Sequence, residues 1–142
     1  MAKRKGSAEW KGGLKGGTGS LTVGDGVWEG QYSFGSRFEE GQGTNPEELI
    51  GAAHAACFSM ALAGALEKAG HAPERVATTA DVELQAGEGG ARISTIRLST
   101  EVAAPGIDEA EFLQIAQGAK DNCPVSKALA GVDIELDARL AG

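Results

Sequence analysis

The chain carries two cysteines, Cys57 and Cys123, and their settings differ. Cys57 lies among Ala55, Ala56 and Phe58 in an alanine-rich stretch, where a cysteine taken alone is a small buried hydrophobe. Cys123 falls at Asn122-Cys123-Pro124, a helix break ahead of a short helix whose free N–H groups favour a thiolate. Two such thiols make a redox couple, part of a metal site or a coincidence. The metal reading lacks donors, because zinc takes four ligands and only His54 and His71 could join the cysteines. No CxxC or HxxxH spacing occurs, and the glycines at 12–19 do not build a phosphate or dinucleotide loop.

Arg37 and Glu47 could supply the electrostatics that a reactive sulfur needs. A guanidinium beside a sulfur stabilises the thiolate and can hold a departing oxygen, and a carboxylate can orient that guanidinium through paired hydrogen bonds. Taken singly, Arg37 reads equally well as a solvated loop cation and Glu47 as a first-turn acid facing the helix dipole. His54, three residues before Cys57, falls on a neighbouring helix face. It is either a proton-transfer group or, more commonly for such a residue, a hydrogen-bonded packing histidine. Glu48 reads as a capping residue.

These side chains must be carried by regular elements. Ser7–Trp10, Gly19–Val23 and Val27–Phe34 read as short strands separated by glycine pairs and by the hairpin signal Gly24-Asp25-Gly26. Gly35 to Thr44 has no period and reads as a surface loop. Asn45-Pro46-Glu47-Glu48 then has the grammar of a helix start, with Asn45 as cap and Pro46 at the first helical position. The helix should run to about Lys68 and, being apolar on nearly every side, lie at the centre of the fold. Alternation over Val76–Leu84 and again over Ile96–Val102, across Gly87-Glu88-Gly89-Gly90, predicts an antiparallel hairpin. Asp108 caps a helix from Glu109 to about Lys120, with Glu111 expected to complete a capping box. Val125–Ala130 forms a short helix, and Val132 to Leu140 alternates as the last strand. The order of elements argues an α+β domain with curved antiparallel sheet packed on helices.

Composition narrows the function classes. At 142 residues and 14.5 kDa one compact domain is expected. Thirteen Lys and Arg against twenty Asp and Glu give a net charge of −7, and only 5% of residues are aromatic. Nucleic acid is therefore a poor partner. Leu49 to Leu66 holds no Asp, Glu, Lys or Arg, but half of it is Ala or Gly, and a buried helix explains it better than a membrane span. No export signal follows Lys3-Arg4-Lys5, and two widely separated cysteines suit a reducing compartment, so a cytoplasmic location is expected.

Thr44-Asn45-Pro46-Glu47-Glu48-Leu49-Ile50, followed by Ala52-Ala53-His54-Ala55-Ala56-Cys57-Phe58-Ser59-Met60-Ala61, closely resembles the family of osmotically inducible protein C, OsmC, whose members include thiol-dependent peroxidases. Trp10-Lys11-Gly12, Ser36-Arg37-Phe38-Glu39, Thr78-Thr79-Ala80-Asp81-Val82, the segment Val102 to Asp108 and Cys123-Pro124-Val125-Ser126 carry the likeness along nearly the whole chain. The long segment before Arg37, and His54 where the organic hydroperoxide resistance (Ohr) branch has Gly-Tyr, make the chain more similar to the OsmC branch.

The resemblance implies that Cys57 is the peroxidatic cysteine, Cys123 the resolving cysteine, Arg37 the activating arginine and Glu47 its carboxylate partner. It implies an α+β intertwined homodimer whose curved antiparallel sheets wrap around central helices. The whole of 1–142 would be one OsmC-like domain: N-terminal strands and active-site loop over 1–44, central helix over 45–70, hairpin over 74–104, helices over 108–131 and final strand over 132–140. The implied function is reduction of organic hydroperoxides, and of hydrogen peroxide less efficiently, in oxidative or osmotic stress defence. It would proceed through a Cys57 sulfenic acid and a Cys57–Cys123 disulfide. No cofactor or metal is expected; the reductant would be an external thiol or dithiol, such as a protein-bound lipoyl group. Leu49, Ile50, Phe58 and Met60 are candidates for an apolar peroxide pocket, with core packing an equal alternative. The competing function is a non-enzymatic stress protein, redox-switched or small-molecule-binding, in which the disulfide forms without turnover.

Overall fold

The computed structural model describes residues 2–141 and divides into two compact units, Met1–Leu49 and Ile50–Gly142. The first unit is an antiparallel meander of β1 (Gly6–Lys11), β2 (Thr18–Val23) and β3 (Trp28–Tyr32). In its register Trp10 faces Gly19 and Gly19 faces Tyr32, so two aromatic rings flank a residue with no side chain. Their centroids are 5.4 Å apart, and a Cβ on Gly19 would lie 2.5 Å from one ring and 2.6 Å from the other. Only glycine allows the rings to close over the sheet.

The sequence reads Gly35 to Thr44 as loop, but Phe34–Phe38 forms a short helix, α1. Its cause is local: the Ser33 hydroxyl accepts from the Ser36 amide while the Ser36 hydroxyl accepts from the Ser33 amide, a capping box with serine in both positions. After α1 the chain turns back through Gly43, at φ +114°, which lets the Thr44 amide donate to the Gln31 carbonyl at 2.8 Å. Helix α2 (Pro46–Lys68) begins at the end of this unit, where Asn45 Oδ1 accepts from the Glu48 amide at 2.8 Å.

In the second unit α2 continues beside β4 (Arg75–Gln85), β5 (Arg92–Ala103), α3 (Glu109–Asn122), α4 (Pro124–Ala128) and β6 (Asp133–Leu140). The sheet order is β4-β5-β6. The β4–β5 hairpin is antiparallel, with a bulge between Glu83 and Leu84, whereas β6 lies parallel to β5 because α3 and α4 carry the chain across before it returns. Phe58, Leu62 and Leu66 of α2, Ile96, Leu98 and Val102 of β5, and Phe112 and Ala116 of α3 form the fully buried core. Each large side chain buried there contributes about 1.5–3 kcal/mol. A polar chain threads its margin: Ser59 Oγ donates to Thr78 Oγ1 at 2.7 Å, and Thr78 and Thr100 hydroxyls meet at 3.0 Å.

Asp108 caps α3 by accepting from the Glu111 amide at 3.2 Å, but the reciprocal half of the expected box is not made. Glu111 turns instead to His71, 3.3 Å from its Nε2, where it gains a charge partner whenever the ring is protonated. The opposite side of α2 stays bare within one chain: Ala52, Ala53, Ala56 and Gly64 are exposed, and Met60 is 79% exposed.

Candidate active site

In the first unit, Asn45 links the turn of α1 to the start of α2. Its Oδ1 caps α2 while its Nδ2 donates to the Ser36 carbonyl at 3.0 Å, and the Ser36 hydroxyl donates to the Thr44 carbonyl at 2.7 Å. This clamp sets Arg37, next to Ser36, against Glu47, two residues after Asn45. Arg37 Nε donates to Glu47 Oε1 at 3.0 Å and Nη2 to Oε2 at 2.9 Å, a two-pronged pair. The Glu47 side chain is 9% exposed and that of Arg37 37%. The arginine is therefore held from its buried side and open on the other, with its guanidinium 5.4 Å from the Phe38 ring. Its remaining N–H groups make no further hydrogen bond among the described residues.

Arg37 also lines a cavity of about 230 Å³ with Trp10, Leu14, Tyr32, Ser33, Phe34 and Phe38. The sequence-based pocket candidates are not here. Phe58 is fully buried in the core of the second unit, and Met60 projects outward. The signal for the aromatic cavity was regional: of the chain's few aromatics, only Phe58 and Phe112 lie beyond Phe38.

In the second unit, Cys57 of α2 and Cys123, the N-cap of α4, are both free thiols with their sulfurs 3.0 Å apart. Cys57 is partly exposed and Cys123 fully buried. Pro124 stands at the first helical position of α4, directly after Cys123. Burial, then the Cys123 thiol, push the Cys57 thiol up, with Val125 partly offsetting them. Burial also acts to raise Cys123, but its polar neighbours, Cys57 first and then Ser126 and Val125, outweigh it and leave that thiol lowered. Sulfurs this close titrate as a pair.

His54 is fully buried, with Nε2 2.8 Å from Ser126 Oγ and no hydrogen-bond partner for Nδ1 among the described residues. Burial lowers its pKa, so the ring is neutral. Thus the four expected site residues meet as two pairs, Arg37 with Glu47 and Cys57 with Cys123, each within its own unit. Ser126 is the polar residue that sequence reasoning passed over. Among the described residues, no three or more His, Cys, Asp or Glu side chains gather as a metal site would require.

The family model for OsmC-like protein matches residues 39–137. The chain is 51% identical over 138 residues to the Escherichia coli K12 protein named Peroxiredoxin OsmC, covering 96% of each. It is 32% identical over 127 residues to the Bacillus subtilis organic hydroperoxide resistance protein OhrB, covering 84% of this chain and 88% of that one. Among solved structures, a Legionella pneumophila organic hydroperoxide resistance protein OsmC superposes with a TM-score of 0.76 at 26% identity over the full length of both chains.

Proposed function

The chain belongs to the family of OsmC-like proteins and is a thiol-dependent peroxidase, and from that premise we propose that Cys57 meets the peroxide and Cys123 resolves it. The observation that carries this assignment is the reduced sulfur pair at 3.0 Å, of which only Cys57 is reachable from solvent. The Cys57 thiolate attacks the distal oxygen of a hydroperoxide; the O–O bond breaks, the alkoxide leaves and is protonated to an alcohol, and Cys57 becomes a sulfenic acid. Cys123 condenses with that sulfenic acid to a disulfide, releasing water.

Among the described residues of the second unit, the Val125 backbone is the one group that lowers the Cys57 thiol. Arg37 is the group suited to doing so. Fixed by Glu47, it presents free N–H groups that can favour the thiolate and then receive the charge on the departing alkoxide. The apolar wall of the cavity beside Arg37 suits the organic portion of an organic hydroperoxide, which is why hydrogen peroxide should be the poorer substrate. An external dithiol, of which a protein-bound lipoyl group is one kind, restores the thiols without a cofactor. The cytoplasm, where thiols are kept reduced, is the compartment that fits.

The bare stripe on α2, Ala52, Ala53, Ala56, Met60 and Gly64, supports an intertwined homodimer in which a second chain covers it. Sedimentation equilibrium should give twice the 14.5 kDa chain mass, and Met60→Glu should shift the population toward monomer; a monomeric wild type would remove this part of the reading.

One equivalent of cumene hydroperoxide added to the reduced protein should yield a Cys57–Cys123 link on peptide mapping, and dithiothreitol should then support repeated turnover. A single oxidation with no turnover on any dithiol would instead favour the non-enzymatic switch or carrier, which the family relationship does not favour.

A further inference from the structure

His54 is fully buried, and its Nδ1 has no hydrogen-bond partner among the described residues. An unpaired buried nitrogen is a standing cost that an apolar side chain at this position would avoid. What the ring does make is one polar contact, Nε2 at 2.8 Å from Ser126 Oγ. That contact lies one turn from the thiols on both sides. His54 and Cys57 are three residues apart on α2, and Cys123 and Ser126 are three apart on α4 and its cap. The His54–Ser126 contact and the 3.0 Å approach of the sulfurs are therefore neighbouring rungs between the same two helices.

Backbone joins the rungs. On α2 the turn from His54 to Cys57 is uninterrupted, and on α4 the turn from Cys123 to Ser126 is closed by the Lys127 amide donating to the Cys123 carbonyl at 3.0 Å. The coupling needs no contact between the Ser126 side chain and the Cys123 sulfur. Helix α4 requires such a fixture: it has five residues, its cap makes no side-chain hydrogen bond, and a helix that short does not hold itself. Val125 and Leu129 pack against the core, but apolar contact is non-directional and tolerates rotation about the helix axis. A hydrogen bond to Ser126, which is buried, does not.

We propose that His54 and Ser126 are positioning residues whose contact fixes the rotation of α4 against α2, holding Cys123 at Cys57 so that the disulfide closes before a second peroxide reaches the sulfur. The proposal rests on the assignment of Cys57 as peroxidatic and Cys123 as resolving. The Cys57 sulfenic acid has two fates. Condensation with the Cys123 thiol forms the S–S bond, breaks the S–O bond and releases water. Alternatively a second hydroperoxide passes its distal oxygen to the Cys57 sulfur; its O–O bond breaks, it is reduced to an alcohol, and the sulfur is oxidised by two electrons to a sulfinic acid. The first fate is intramolecular and depends on how well Cys123 is held, whereas the second rises with peroxide concentration. Loosening the rung therefore lowers the peroxide concentration at which enzyme is lost.

The test uses the full chain, reduced, as wild type, Ser126→Ala, His54→Leu, His54→Gln and the double variant His54→Leu/Ser126→Ala. Quenched mass spectrometry after one equivalent of cumene hydroperoxide times disulfide closure. A series of excess peroxide with dithiothreitol gives the concentration at which half of Cys57 becomes sulfinic acid, and a melting curve accompanies each protein. Ser126→Ala and His54→Leu should close about 10-fold more slowly and reach half-oxidation at about 10-fold less peroxide, the worth of one directional hydrogen bond. The double variant makes both partners apolar, so it should melt near the wild type yet close as slowly as the single variants. A merely structural role would not separate the two readouts. His54→Gln, whose amide can donate to Ser126 or accept from it, should close several-fold faster than His54→Leu.

Wild-type closure and peroxide tolerance in the double variant overturn the proposal, as does His54→Gln behaving like His54→Leu. If the His54→Leu proteins do not fold, Ser126→Ala decides: slow closure restored by Ser126→Thr supports the proposal, and wild-type closure overturns it. Failure of the wild type to form the Cys57–Cys123 link would instead overturn the parent assignment.

Discussion

Cys57→Ser should lower steady-state reduction of cumene hydroperoxide, with dithiothreitol as reductant, by at least about 10³-fold. A serine hydroxyl in the same place is not ionised near neutral pH and is a poor nucleophile toward a peroxide oxygen. No second sulfur can take over, because Cys123 has no solvent exposure and its sulfur lies behind the position that Cys57 occupies. The swap is close to isosteric, so the melting temperature should move little and the lost activity can be assigned to chemistry. Retention of a tenth or more of wild-type turnover would mean that another group attacks the peroxide.

Arg37→Met should lower kcat/KM for the same substrate by about 10²–10³-fold, the range for removing one donor that stabilises a departing oxyanion. The effect should fall mainly on kcat, because the charge appears in the transition state and not on the bound hydroperoxide. Arg37→Lys should recover only part of it: an ammonium cannot make both hydrogen bonds to Glu47 and still present a planar set of donors outward. Arg37→Met also strands Glu47, whose side chain is 9% exposed, so a melting curve must accompany the kinetics. An unchanged kcat/KM in a folded Arg37→Met protein would sink the proposed role of the arginine.

The parts of this architecture written in local grammar were readable in advance. Asn45 and Asp108 announce helix starts because a side-chain oxygen three residues ahead of a free amide is a short-range device, and both hydrogen bonds are present. The alternation in β6 likewise follows from burial of one face, with Ile134, Leu136 and Ala138 packed against the core. What distance alone creates was not readable. The residues Phe34 to Phe38 contain a glycine and lack the length of a periodic segment, so the reciprocal serine cap that makes α1 left no helical pattern. The parallel partner of β6 depends on a crossover through two helices.

The site divides in the same way. Cys57, Cys123, Arg37 and Glu47 were singled out by residue type and by resemblance, but their spacing could not say which would meet. The Arg37–Glu47 pair becomes intelligible only when Asn45 is seen bonding both the Ser36 carbonyl and the Glu48 amide. Ser126 looked like an ordinary helix residue, and its importance arises from His54, far away in the chain, arriving at its hydroxyl.

In the proposed cycle, the unequal exposure of the two sulfurs sets how the Cys57–Cys123 disulfide is reduced. A reductant thiolate can approach the disulfide only at the partly exposed Cys57 sulfur, so the sulfur expelled is that of buried Cys123. Exchange is fastest when the expelled thiol has the lower pKa, and Cys123 is the thiol that its neighbours lower. The mixed disulfide therefore forms on the partly exposed Cys57, where the second thiol of a dithiol can displace it.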